Sequence, residues 1–191
     1  VDNRQYCPNC GRDLIRRDIA GHTRPLCPDP DCGFVFWDNP IPVVAAIVEH
    51  EGRLVIARNA NWPEGMFGLI TGFLEPREQP EEGVVREVAE ELGLVATITR
   101  FVGAYGFARM NQLLLAYHLT GEGEITLNEE LVEYRRVAKE NTQYWPGGTG
   151  LAVRDWLRSQ GYDPQPRELP AAVRQWINAR PSAEQNSATE E

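Results

Sequence analysis

No run of this 191-residue chain approaches the roughly 20 consecutive apolar residues that a helical membrane span requires. Its first ten residues, VDNRQYCPNC, lack the apolar core of a secretory signal, so the expected compartment is the cytoplasm, with no membrane partner. No period repeats along the sequence, which excludes solenoids and propellers. No P-loop is present either, which removes the commonest nucleotide-binding loop. Basic residues are scarce, since 19 Lys and Arg stand against 28 Asp and Glu for a formal net charge of −9. Non-specific nucleic-acid affinity comes from Lys and Arg neutralising phosphates, so no extended nucleic-acid partner is expected. The one Arg cluster, Arg4, Arg12, Arg16, Arg17 and Arg24, is outweighed by six Asp within residues 1–38.

What is present is the material of a globular protein. A hydrophobic content of 42% with 25% charged residues can bury an ordinary core. The length suits one core domain and a small accessory module. The expected division is residues 1–38, residues 39–160, and residues 161–191 as a C-terminal helix with a polar, disordered tail.

All four cysteines lie in the first of these segments, as Cys7-Pro-Asn-Cys10-Gly and Cys27-Pro-Asp-Pro-Asp-Cys32-Gly. Two short Cys loops, each followed by Gly and separated by 16 residues, read as a four-cysteine zinc ribbon. Two disulfides are the alternative, which a cytosolic setting disfavours. His22 could serve as a ligand, but four thiolates already fill a tetrahedral site. Such a closed shell leaves no open position, so the expected zinc role is structural.

The second segment begins with a nearly continuous apolar run, Val43-Val44-Ala45-Ala46-Ile47-Val48, the mark of a strand buried on both faces. His50-Glu51-Gly52 turns the chain, and Arg53–Arg58 returns as its hairpin partner. Further strands are expected over residues 66–71, 96–105, 112–120 and 134–138. An amphipathic helix is expected over 148–160, with Leu151, Ala152, Trp156 and Leu157 inward, and a second over 168–179. Strands mixed with a few helices give an α/β fold, an α/β/α sandwich around a mixed sheet.

The most informative stretch is GFLEPREQPEEGVVREVAEELGL, Gly72 to Leu94. Pro80 suits the first helical turn, Glu81 and Glu82 favour the positive helix start, and Gly93 stands where a left-handed stop is wanted. Val84, Val85, Val88 and Leu92 form an apolar stripe facing a core. Glu87, Glu90 and Glu91 share one helical face, largely off that stripe, and repel one another. Residues 75–91 alone carry seven Glu against two Arg. A hard divalent cation, Mg²⁺ or Mn²⁺, with oxygen ligands would offset this repulsion, and a phosphate-bearing substrate could complete its coordination. Gly72 lets the backbone approach closely and could add a carbonyl ligand.

Gly72, Glu78, Arg86-Glu87-Val88, Glu90-Glu91 and Gly93-Leu94 match the pattern Gx5Ex7REUxEExGU at all nine specified positions. The chain therefore resembles the Nudix hydrolases. That resemblance implies an α/β/α sandwich and metal-dependent cleavage of a nucleoside-diphosphate-linked substrate. It makes Glu87, Glu90 and Glu91 catalytic metal ligands, and Arg86 an orienter of a catalytic Glu. An acid well after the box often serves as ligand or base. Glu129, Glu130 and Glu133 are the candidates, and Glu130 is favoured.

A ribbon ahead of such a domain resembles the branch of NADH pyrophosphatases, RNA NAD-cap hydrolases and FAD pyrophosphatases, which implies a homodimer. The SQPWPFPxS array of NADH pyrophosphatases is not matched by Ala104–Leu113, and Thr142-Gln143-Tyr144-Trp145-Pro146 lies too far downstream. NADH, FAD, ADP-ribose and similar dinucleotides therefore all stay open as substrates. Trp62, Tyr105, Phe107 and Arg109 are the candidates for holding the base, since aromatic and guanidinium planes can sandwich it. A non-catalytic, nucleotide-sensing Nudix-like module is the alternative to an enzyme.

Overall fold

The computed structural model describes residues 4–179. The polar tail expected at Pro181–Glu191 lies outside the described residues. The chain divides into two compact units, with the division falling between Pro40 and Ile41. Residues 161–179 belong to the same unit as the sheet.

The first unit holds an antiparallel hairpin, β1 (Ile15–Ile19) with β2 (His22–Leu26). On either side of it in sequence lie the two cysteine loops. Buried Cys7 and Cys27 supply much of what little interior this unit has.

The second unit is built on a six-stranded mixed sheet. Its strands are β3 (Ile41–His50), β4 (Arg53–Asn59), β5 (Ile70–Phe73), β6 (Val95–Phe107), β7 (Gln112–Glu122) and β8 (Leu131–Val137). The order is β6-β7-β3-β4-β8, with β5 paired to β3. β3 and β7 run parallel, and the other pairings are antiparallel. β3 is central, so its residues are buried on both faces. Val44, Ala46 and Val48 enter one core with Val84, Val88 and Leu92 of α1 (Pro80–Leu92). Ala45 and Ile47 enter the other, with Ala152, Val153, Trp156 and Leu157 of α2 (Gly150–Ser159). Alternate residues of a strand face opposite sides, so the two cores make a sandwich, helix on sheet on helix.

One edge of β3 changes partner along its length. Val43 to Ala46 pair with β5, whereas β4 reaches β3 only at Glu49↔Leu54 and His50↔Arg53. Between these contacts β4 and β5 diverge, and Ala57 and Gly68 exchange backbone hydrogen bonds at 3.0 Å across the gap. This fork positions the site.

Helix α1 begins and ends where the sequence marks it. The Gln79 amide donates to Glu82, Pro80 is the first helical residue, and Gly93 closes the helix at φ 67° with its amide on the Ala89 carbonyl. In α2 the inward set is Ala152, Val153, Trp156 and Leu157, and Leu151 is only half-buried. Offsets 0, 1, 4 and 5 define that face, and residue 151 lies one step around the helix. The last helix, α3 (Ala171–Ala179), is shorter than expected because Pro170 precedes it.

Under α2, the Glu49 carboxylate is hydrogen-bonded to buried His118 at 3.1 Å and to Lys139 at 2.7 Å. Lys139 is the only lysine of the sequence, and its ammonium stands 5.5 Å from the Trp156 ring centre. No helix among the described residues is long and apolar enough to cross a membrane. Trp156 is the largest fully buried side chain. Trp156→Ala is therefore expected to lower the unfolding free energy by about 3–5 kcal/mol, as read from urea denaturation.

Candidate active site

The acidic face of α1 is organised by Arg86. Its guanidinium grips Glu78 with two nitrogens, Nε to Oε1 at 2.7 Å and the second to Oε2 at 3.0 Å. The third nitrogen donates to Glu87 at 2.8 Å and to Glu90 at 2.9 Å, and the carbonyl of Phe73 accepts at 3.2 Å. The bidentate pair, reinforced by the Glu75 amide, holds the Glu78 carboxyl down at about 2. Arg86 thus ties the box loop to the helix and leaves Glu91 out of its reach.

Glu87 occupies space that only glycine leaves open. A Cβ on Gly72 would stand 1.9 Å from the Glu87 carboxyl carbon. The same crowding recurs at Gly83, where a Cβ would be 2.7 Å from Leu74 and 2.9 Å from the Glu78 carboxylate. Gly72 itself lies within β5, paired with Val44.

Glu91 departs from the expectation that the carboxylates lie off the packed stripe. It is only 8% exposed. Burial, followed by the charges of Glu87, Glu130 and Glu90, pushes its carboxyl up to about 8. Burial also raises the Glu87 carboxyl, against the pull of Arg86.

At the fork, Glu91 borders a cavity of about 60 Å³ lined by Ala57, Asn59, Trp62, Leu69, Thr71, Glu130 and Leu131. Glu130 therefore lines the same cavity as Glu91. Glu133 does not, because Arg58 and Arg135 bind its carboxylate. Glu129 is exposed and does not line the cavity.

The four base-holding candidates are dispersed. Trp62 lines the cavity. The Tyr105 hydroxyl donates to Asp155 at 3.1 Å, and its ring packs with the α2 core on the other face of the sheet. The Phe107 ring lies beside Gly148, and Arg109 donates to the carbonyl of Ile177. Asn59 and Thr71 line the cavity without having been singled out in the sequence. Asn59 had a legible signal, since Asn-Ala-Asn-Trp-Pro at a strand end is turn chemistry. Thr71 had none beyond its place beside Gly72.

The donor set suits a hard divalent cation. Buried and half-buried carboxylates with raised proton affinity are groups whose charge the surroundings leave uncompensated. Such ions keep several waters, so the carboxylates need not touch one another. Among the described residues the box acids do not gather within 4.8 Å, whereas the cysteines do.

The Sγ atoms of Cys7, Cys10, Cys27 and Cys32 all lie within 4.8 Å of one another and could hold a metal ion. Cys7–Cys32 at 3.6 Å and Cys10–Cys27 at 3.5 Å are far longer than a disulfide bond of about 2.05 Å. Four bonds of about 2.3 Å to a central zinc would place the sulfurs at such separations.

A family model for the NUDIX domain matches residues 39–158. The chain belongs to the Nudix family. An NAD-capped RNA hydrolase NudC of Stutzerimonas stutzeri is 28% identical over 137 residues, covering 71% of this chain and 48% of that protein. The mitochondrial NAD(P)H pyrophosphatase NUDT13 of Mus musculus is 31% identical over 136 residues, covering 69% of this chain and 38% of the relative. The chain thus spans about half the length, or less, of these curated relatives. A NUDIX hydrolase from Nitrosomonas europaea shares the fold with a TM-score of 0.67 at 22% identity, over 85% of this chain and 96% of that one.

The Nudix box carries its own acid-stability signature. The Glu78 carboxyl is depressed on folding, so its contribution is complete above the ordinary carboxylate range and is lost as pH falls toward about 2. Thermal melts from pH 6 to pH 2 should show the stability difference between wild type and Glu78→Gln holding level at first, then shrinking once the pH falls through the ordinary carboxylate range toward about 2.

Proposed function

We propose that this chain is a metal-dependent Nudix pyrophosphohydrolase that splits a nucleoside-diphosphate-linked dinucleotide, of the NADH, FAD or ADP-ribose kind, into two monophosphates. The observation that carries this reading is the convergence of Glu91 and Glu130 on one cavity, beside Glu87 in its Gly72 cradle. Diphosphate hydrolysis needs negative charge neutralised on the phosphoryl oxygens and a water made nucleophilic. Bound Mg²⁺ or Mn²⁺ would supply charge neutralisation and a more acidic water.

In this reading Glu87, Glu91 and Glu130 hold the cation, with Glu90 joining from the helix rim and the Gly72 backbone close by. Glu130 also stands ready to accept the proton of the attacking water. Arg86 orients Glu87 and Glu90 and does not touch substrate. Trp62 walls the cavity and excludes water from one side. Tyr105, Phe107 and Arg109 are assigned no part in holding the base, because their partners lie elsewhere.

The four cysteines would hold structural Zn²⁺, the expected compartment is the cytoplasm, and resemblance to the ribbon-bearing branch implies a homodimer. The names of NudC and NUDT13 favour a nicotinamide dinucleotide, and the missing SQPWPFPxS array leaves FAD and ADP-ribose beside it.

Chromatography of products from NADH, NAD, FAD, ADP-ribose, diadenosine polyphosphates and dNTPs, with Mg²⁺ or Mn²⁺, tests the reaction. Release of AMP from one dinucleotide, falling by about 100-fold or more in a folded Glu91→Gln variant, is the expected result. Binding of the panel without turnover would replace the enzyme by a nucleotide-sensing module. Separately, Cys7→Ser should lower the zinc content measured by atomic absorption and destabilise the first unit. A zinc content equal to that of the wild type would remove the ribbon assignment.

A further inference from the structure

The turn that follows β4 is built around a single residue. Asn59 Oδ1 accepts the Asn61 amide at 2.9 Å, and the Asn59 carbonyl accepts the Trp62 amide at 2.9 Å. An Asx turn of this kind substitutes side-chain oxygen for a backbone partner and fixes a short loop locally. The β4–β8 register also shifts here, since Arg58 faces Glu133 while Asn59 faces Leu131. Bulges re-aim the side chains that follow them. One residue on, the Ala60 amide donates to the Glu130 carbonyl at 2.8 Å. Residues 59 to 61 therefore serve both walls of the cavity, Trp62 on one side and Glu130 on the other.

One edge of the Trp62 ring is also fixed. A Cβ on Gly68 would stand 2.9 Å from Cη2 and 3.0 Å from Cζ3 of the indole, so that edge fills the space a side chain at 68 would take. Gly68 is in turn locked to Ala57 by their paired hydrogen bonds. The cavity, at about 60 Å³, has room for about two waters and not for a base. A base would have to lie outside it, against half-buried Trp62, the one aromatic side chain of the lining.

Resting on the hydrolase reading of this cavity, we infer that Asn59 is a positioning residue for substrate: its side chain fixes the turn that carries Trp62, the platform for a flat heteroaromatic base, and so sets that platform's place relative to Glu130. Trp62 makes the contact, and Asn59 acts through it. Such a device affects ground-state and transition-state binding equally, so its loss appears in KM and not in kcat.

Asn59→Ala and Asn59→Ser separate this role from general stability, because serine rebuilds a weaker turn of the same form without adding charge. Hydrogen exchange of the Asn61 amide is expected to quicken by about tenfold or more in Asn59→Ala and to recover partly in Asn59→Ser. KM for the dinucleotide turned over best should rise by about five- to tenfold in Asn59→Ala, with kcat within about twofold and partial rescue in Asn59→Ser. In a Trp62→Ala background, Asn59→Ala should raise KM no further. An unchanged KM, a loss confined to kcat, or full additivity with Trp62→Ala would overturn the inference. Absence of dinucleotide turnover by the wild type is a different failure, that of the hydrolase reading. The positioning role is then decided by Asn61 exchange and by calorimetric affinity for NADH, which Asn59→Ala should weaken and which, unchanged, would overturn it.

Discussion

The acidic end of α1 depends on the guanidinium of Arg86. Carboxylates packed onto one helical face repel each other, and the repulsion grows as water is excluded. A planar fork with several donors can serve more than one of them at fixed angles, which a lysine ammonium could not. Arg86 spends two nitrogens on Glu78 and shares the third between Glu87 and Glu90. Its bond to the Phe73 carbonyl then fixes the loop that leads out of β5. Glu91 is left buried with no such partner, an imbalance of charge on the inner side of the helix.

The sheet supplies the place where the imbalance is felt. Because β3 trades β5 for β4 along one edge, a gap opens between two strands that would otherwise lie side by side. Glu91 reaches this gap from α1, and Glu130 from the start of β8. Neither glycine at the site is there for turn geometry. At Gly72 the Glu87 carboxylate, and at Gly83 the Leu74 side chain with the Glu78 carboxylate, occupy the volume a side chain would take.

Much of this was legible in the residues. The box helix was marked at both ends by Pro80 and Gly93, and the buried central strand by six apolar residues in a row. The cysteine spacing announced the cluster of four sulfurs. The burial of Glu91 was legible in part, since it stands seven residues after Val84 and three after Val88, beside the apolar stripe; that it borders a cavity at the strand fork is a tertiary feature. Nor could local sequence separate Trp62 from Tyr105, Phe107 and Arg109. All four are aromatic or planar groups near strand ends, and strand alternation sends Tyr105 to the α2 face. Asn59 escaped because its role is a turn bond, and turn residues are read as connectors until their neighbours are known.

The half-buried Lys139 has a practical corollary for anyone labelling the protein. Eighteen arginines carry nearly all of its positive side-chain charge, and guanidinium groups do not react with the usual acylating reagents as free amines do. The lone side-chain amine is 17% exposed and bonded to Glu49 under the Trp156 ring. Acylating dyes, amine cross-linkers and carbonyl-activated resins therefore find almost no side-chain handle on the folded chain, and a lysine newly placed on its surface would be nearly the sole side-chain site of attachment.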